Sequence, residues 1–125
     1  MKDIARPLKS IFWVGSSYND YMEFPSEVLD SMGYSLHRVQ EGKIPTHSKV
    51  LKGAQSGAVE IIDNHDGDTY RAIYTIKYAD TVYIIHAFKK KSKKGIATPK
   101  SDLDLIKQRM RLIEEDRKKR SNEGG

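Results

Sequence analysis

Three extended segments follow one another closely between residues 58 and 89, and they constrain the fold more than any other feature. The segments "AVEII", "TYRAIYTIKY" and "TVYIIHAFK" are rich in aromatic and β-branched residues, and only "DNHDGD" and "AD" separate them. Asp-Gly in the first separator is a strong hairpin signal, and connections this short can join only antiparallel neighbours. The sequence therefore predicts a three-stranded antiparallel meander.

One further strand and two helices are predicted on either side of the meander. A strand is expected in residues 9–14, "KSIFWV", which is rich in aromatic and β-branched residues. Apolar residues spaced by three and four predict a helix over 24–42, and a short helical turn at 18–23 precedes it. A terminal helix is predicted in "SDLDLIKQRMRLIEEDRKK", where Ser101 and Asp104 have the capping-box spacing. A connecting loop is predicted in "KIPTHSKVLKGAQSG", which has no period.

The order of these elements predicts an α+β domain in which helices cover one face of an antiparallel sheet. The N-terminal strand and the meander would form that sheet, and its other face would be available to a partner. We expect residues 1–120 to form this single domain, because a chain of 125 residues can build one modest core. Residues 121–125 are expected to form a disordered tail.

Composition narrows the possible partners. The net charge of +5 and the pI near 9.3 favour an anionic partner, which could be nucleic acid, an acidic protein or a membrane surface. No apolar run approaches the roughly 18 residues of a membrane span, and the first residues do not resemble a secretory signal. The absence of cysteine excludes disulfides and permits a reducing compartment. The four histidines lie too far apart for a local metal motif, so no metal and no cofactor is expected.

Charged residues are concentrated in and after the last two predicted strands. Arg71 lies within a strand, and alternation places His86 and Lys90 on one face and Lys89 on the other, if the last strand extends that far. Each has an ordinary structural explanation. Arg71 could form a cross-strand ion pair, His86 could be a packed or hydrogen-bonded neutral side chain, and Glu60 could be a paired or solvated carboxylate. The lysine run could be a solvated loop.

The ordered series "YRAIYTI...YIIHAFKKKSKKGIATP" resembles the phage-related, HigB-like branch of the RelE/ParE toxin superfamily. The resemblance also includes "SIFWVGSSYNDYMEFPSEV", "GYSLHRVQEG" and "LKG", and it covers roughly residues 9–110. It implies a RelE-like fold and a cytoplasmic toxin of a type II toxin-antitoxin system. Such a toxin would cleave messenger RNA on the ribosome as an endoribonuclease, and a helix-turn-helix, HigA-like antitoxin would neutralise it.

The resemblance also implies roles for individual residues. RNA can be cleaved through attack by its own 2′-hydroxyl, so the protein must move protons and neutralise charge on the phosphate. Arg71 matches the strand arginine of the RelE-like pattern and is assigned to phosphate stabilisation, and Lys90 is assigned to phosphate contact. Glu60, His86 and the lysines are the candidates for proton transfer. The expected RNA-backbone contacts are Lys52, Lys89, Lys91, Lys93 and Lys94.

Two other functions remain open at this stage. ParE-like members of the superfamily inhibit DNA gyrase, which would keep the fold and change the mechanism. A non-catalytic nucleic-acid-binding module would keep the charge and lose the chemistry. The chain also lacks the carboxy-terminal His-Tyr pair that some relatives use, so the catalytic assignment depends on Arg71 and the lysine cluster.

Overall fold

The computed structural model describes residues 7–54, 57–91 and 98–124, and it has an α+β architecture around one five-stranded sheet. The elements in chain order are β1 (Ser10–Trp13), α1 (Ser17–Met22), α2 (Ser26–Gln40), β2 (Ser48–Val50), β3 (Ala58–His65), β4 (Asp68–Tyr78), β5 (Thr81–Lys91) and α3 (Lys100–Gly124). The spatial order of the strands is β1-β5-β4-β3-β2. Among these described residues, no helix combines the length and the apolar character that a membrane crossing requires.

The predicted meander is confirmed as β3, β4 and β5, which pair antiparallel in sequence order. His65 lies opposite Asp68, so only Asp66 and Gly67 form the turn between β3 and β4. Both turn residues have positive φ, at 50° and 83°. Two-residue hairpin turns with positive φ favour Asp-Gly, because Gly has no Cβ and Asp tolerates the left-handed region.

The sheet is mixed rather than antiparallel, which corrects one part of the predicted architecture. β1 pairs in parallel with β5, and Ser10 lies opposite Thr81. Parallel pairing requires a long connection, and the rest of the chain between β1 and β5 supplies it.

The predicted connecting loop is also wrong in part, because Ser48–Val50 forms β2 against β3. Three residues are too few to show a period, and their strand conformation depends on the partner strand.

Helices cover both faces of the sheet, so the prediction of one uncovered face is wrong. Ile84 and Ile85 are adjacent in β5 and both are fully buried, one in each of two cores. The core under α1 and α2 includes Phe24, Val28, Met32, Leu36, Ile61, Tyr74 and Ile84. The core under α3 includes Ala58, Ile73, Tyr83, Ile85, Ile106, Met110 and Ile113. Strands that are apolar on both sides need a covering layer on each side.

Helix α3 begins one residue earlier than its predicted cap. The Leu103 amide donates to the carbonyl of Pro99, at an N–O distance of 3.0 Å, so the first helical hydrogen bond already spans Ser101. Ser101 therefore lies inside the first turn, and the predicted capping box with Asp104 is wrong. At the other end, the helical backbone continues to Gly124. It therefore extends into residues 121–125, where a disordered tail was expected.

Candidate functional site

Strand register collects the sequence-predicted residues on the sheet face that α3 also packs against. In an antiparallel sheet, directly opposed residues share a face. Glu60 lies opposite Ile73, which lies opposite His86. Two residues away along each strand, and therefore on the same face, Arg71 lies opposite Phe88. β3, β4 and β5 therefore each supply side chains to one continuous surface.

Arg71 and Glu60 form a buried ion pair on this surface. The distance between Arg71 Nη1 and Glu60 Oε2 is 2.7 Å, and only 1% of the Glu60 side chain is exposed. Thr98 Oγ1 lies 3.5 Å from the same guanidinium nitrogen, and Lys49 Nζ lies 3.9 Å from Glu60 Oε1. A buried carboxylate is costly unless cations and hydrogen-bond donors compensate it. These contacts therefore hold the guanidinium in a defined position beside Thr98, which immediately precedes Pro99 and the start of α3.

A cavity of about 260 Å³ opens beside this ion pair. Its lining comprises Lys49, Val50, Leu51, Lys52, Glu60, Arg71 and Thr98. Three of these side chains are cations and one is a carboxylate, so the lining carries a net charge of +2. Lys52, predicted only as an RNA contact, thus lies at the same cavity as Arg71. A cavity with this charge favours an anionic ligand.

His86 forms a second polar contact, with α3. The distance between His86 Nε2 and Asp102 Oδ1 is 2.7 Å, and the imidazole stacks on Phe88 with ring centroids 4.8 Å apart. Within the described part of the chain, His86 Nδ1 is buried and has no hydrogen-bond partner. A carboxylate at one ring nitrogen orients an imidazole and selects its tautomer. His86 is therefore both packed and hydrogen-bonded, as its ordinary structural explanation required.

The lysines of the cluster do not all lie on the Arg71 face. Lys90 lies opposite Thr69, which is two residues from Arg71 in β4. Lys90 therefore shares the Arg71 face. Lys89 is directed to the other face, where its Nζ is 3.7 Å from Asp68 Oδ2. Lys91 ends β5, but its side chain, like the whole of Lys93 and Lys94, lies outside the described residues.

Sequence reasoning missed three residues of this surface. Lys49 is brought to Glu60 by the short strand β2, which the sequence did not predict. The sequence alone assigned no role to Thr98 or to Asp102. Sixteen residues separate His86 from Asp102. Only the docking of α3 on the sheet brings them together, so no local pattern could have indicated the contact.

The arrangement as a whole is suited to binding and polarising a phosphate group. A guanidinium can present paired donors to two phosphate oxygens, and its fixed plane makes that contact directional. Glu60 restrains the Arg71 guanidinium, and Lys49 and Lys52 add positive charge around the same cavity. The buried, restrained Arg71 guanidinium is the preorganised charge of this site, whereas Lys49 and Lys52 are exposed side chains at its rim.

Comparison with known proteins identifies the family. The model of the family described as "Phage derived protein Gp49-like (DUF891)" matches residues 19–111, which include most of α1, all of α2 and of β2 to β5, and the first half of α3. No significant match to a curated protein was found, and none to a solved structure. The matched span contains every residue of the cavity and the His86–Asp102 contact. The chain therefore belongs to the phage-derived Gp49-like family, which is of the RelE/HigB-like toxin type and is associated with the toxins of toxin-antitoxin systems.

Proposed function

We propose that this protein is a HigB-like toxin that cleaves messenger RNA on the ribosome and so stops protein synthesis. The observation that chiefly supports this proposal is the position of Arg71, a buried guanidinium held by Glu60 at the wall of a cavity with net positive charge. A purely structural ion pair would not need two additional lysines around the same cavity. The family supports a toxin, and the cavity supports a phosphate-containing target.

The proposed reaction uses the RNA's own nucleophile. The 2′-oxygen attacks the adjacent phosphorus, the bond from phosphorus to the 5′-oxygen breaks, and the products are a 2′,3′-cyclic phosphate and a 5′-hydroxyl. A base takes the proton of the 2′-hydroxyl, and an acid supplies a proton to the leaving 5′-oxygen. Arg71 stabilises the charge on the phosphate in the transition state, and Lys90 contributes a second phosphate contact.

Two side chains are assigned to the proton transfers in this proposal. Glu60 is the candidate base, because it lines the cavity in which the phosphate would bind. His86 is the candidate proton donor to the 5′-oxygen, because it lies on the same sheet face as Arg71. Asp102 occupies Nε2, so the donor would be the buried Nδ1, and RNA binding would have to expose it. The two assignments can be separated experimentally, since loss of the proton donor should be rescued by a substrate with a better leaving group.

The antitoxin would act through the same surface. An acidic segment of a helix-turn-helix partner could cover the positive cavity and exclude RNA from it. We therefore expect the toxin to co-purify with a small DNA-binding protein when both are expressed at native levels. Recovery of the toxin without any such partner would contradict this part of the proposal.

Controlled expression without an antitoxin tests the function. Wild-type protein and Arg71→Ala are induced in parallel while the incorporation of labelled amino acids and of thymidine is followed. The proposal expects amino-acid incorporation to stop first, with cuts inside translated regions and only for the wild type. Intact transcripts with gyrase-dependent DNA breaks would support the ParE-like alternative. Tight RNA binding without any cleavage would support a non-catalytic module.

A further inference from the structure

Strand β5 contains an irregularity immediately before His86. Tyr74 lies opposite Ile84, whereas Ile73 lies opposite His86, so Ile85 is an additional residue in β5. Such a bulge changes which face the following side chains occupy. Ile84 packs under α1 and α2, but His86, two residues later, contacts Asp102 of α3. In a regular strand these two side chains would share a face, so the bulge is what directs His86 towards α3 and the Arg71 surface.

Arg109 of α3 binds the backbone at this bulge. Its Nη1 donates to the carbonyl oxygen of Ile85 at 2.8 Å. Its Nη2 donates to Ser16 Oγ at 3.2 Å, and Ser16 in turn donates to Asp20. Burial lowers the pKa of Arg109, and the nearby Asp20 carboxylate opposes that shift. The guanidinium thus connects the bulge to the loop before α1.

The loop before α1 is shaped to admit this guanidinium. Gly15 has φ +57°, and a Cβ atom at that position would lie 2.8 Å from Arg109 Nη2. Any larger residue would therefore be strained in its backbone and would also displace Arg109. Gly15 thus leaves space beside this loop for the Arg109 guanidinium.

Asp102 and Arg109 act from the same stripe of α3. They are seven residues apart, which is close to two helical turns, and the fully buried Ile106 lies between them. One contacts the His86 ring and the other contacts the backbone of the preceding residue. Together they determine both the direction in which His86 leaves the strand and the orientation of its ring.

We propose that Arg109 is a positioning residue, which holds the β5 bulge so that His86 faces Asp102 and the Arg71 surface. The inference depends on the proposed function only for its effect on RNA cleavage, because the orientation of His86 can be measured without it. Arg109 itself need not touch the RNA. Its loss should therefore reduce the rate of the chemical step and leave ribosome binding unchanged.

The test compares Arg109→Met with Arg111→Met, which removes an exposed arginine two residues along the same helix. The first readout is the ¹H–¹⁵N spectrum of the histidine rings, in which the His86 signals are assigned by their loss in His86→Asn. In Arg109→Met the His86 signals should move towards their positions in Asp102→Asn, and in Arg111→Met they should stay at the wild-type positions. A folded Arg109→Met protein with wild-type His86 signals would overturn the proposal.

The second readout is single-turnover cleavage of messenger RNA on purified ribosomes at saturating toxin. Arg109→Met should cleave about 10- to 100-fold more slowly, the scale of a small misplacement of a reacting group, with an unchanged apparent affinity. If Arg109→Met does not fold, Arg109→Lys replaces it. Lysine keeps the charge but cannot reproduce both contacts, so wild-type His86 signals in that variant would also overturn the proposal.

The two readouts separate this inference from the proposed function. If the His86 signals shift but neither wild type nor any variant cleaves RNA, Arg109 positions His86 and the assignment as an RNA-cleaving toxin is wrong. If wild type cleaves RNA and Arg109→Met retains the wild-type rate, the positioning role in catalysis is wrong.

Discussion

Arg71 and Glu60 form their ion pair diagonally across strands β3 and β4, with Nη1 2.7 Å from Oε2. Arg71 lies directly opposite Ile62, and Glu60 lies directly opposite Ile73. The contact therefore depends on the register of the two strands. It also depends on the length of the arginine side chain, which extends to the neighbouring pair of residues on the same face. It restrains a guanidinium at the wall of the positive cavity, which is the phosphate site of the proposed reaction.

The first prediction separates geometry from charge at this position. Arg71→Lys keeps the positive charge but loses the paired donors, so single-turnover cleavage should fall by about 10²-fold or more. Ribosome binding, measured by co-sedimentation, should change little. Arg111→Lys, on the exposed surface of α3, is the control. If Arg71→Lys cleaves at the wild-type rate when bound, Arg71 is only a structural ion-pair residue.

The second prediction concerns stability. Glu60→Leu leaves the buried Arg71 guanidinium without its carboxylate and should lower the free energy of unfolding by about 3 kcal/mol. Adding Arg71→Met removes the buried positive charge, so the double variant should recover most of the lost free energy of unfolding. Urea unfolding monitored by tryptophan fluorescence gives the change in the free energy of unfolding for Glu60→Leu, for Arg71→Met and for the double variant. A double variant that is as unstable as the sum of the two single variants would show that the pair contributes no coupling.

The third prediction distinguishes the lysines by their position. Lys52 lines the Arg71 cavity, whereas Lys89 lies on the opposite face beside Asp68. Lys52→Ala should weaken RNA binding and reduce the slope of log affinity against log salt by about 0.7, the value for one lost contact to single-stranded RNA. Lys89→Ala should change the slope less. Equal effects of both substitutions would mean that the RNA also contacts the face opposite the cavity.

The fourth prediction concerns pH. The Arg117 hydrogen bond, with a second from Thr81, holds the pKa of the Asp80 carboxyl below its usual value of 3.8. A lowered pKa in the folded state adds stability that is present above the usual value and is lost as the pH falls through the lowered one. Wild type should therefore be slightly more stable than Asp80→Asn at neutral pH, and the difference should shrink below pH 3.8.

Urea unfolding between about pH 7 and pH 2 measures this difference, which should be small because the Asp80 side chain is exposed. The matched control is the same comparison in an Arg117→Met background. There the pH-dependent difference should shrink, because only the Thr81 hydrogen bond still lowers the pKa of Asp80. A difference that keeps its full size without Arg117 would show that Arg117 is not its main cause.

The elements with local signals could be predicted from the sequence alone. Asp66-Gly67 specified the β3–β4 turn, and apolar residues at helical spacing specified α2 and α3. Alternation along β5 also placed His86 and Lys90 on one face and Lys89 on the other correctly. These features follow from the geometry of a few neighbouring residues, and a single sequence contains that information.

The contacts that join distant parts of the chain could not be predicted in this way, because they depend on how the elements pack. The parallel pairing of β1 with β5, the short strand β2 and the docking of α3 on the second face depend on which surfaces meet. The bulge at Ile85 interrupts the alternation of side chains along β5, so that Ile84 and His86 lie on opposite faces of the sheet. Arg71 finds Glu60, and His86 finds Asp102, because buried polar groups require partners and packing brings those partners within reach.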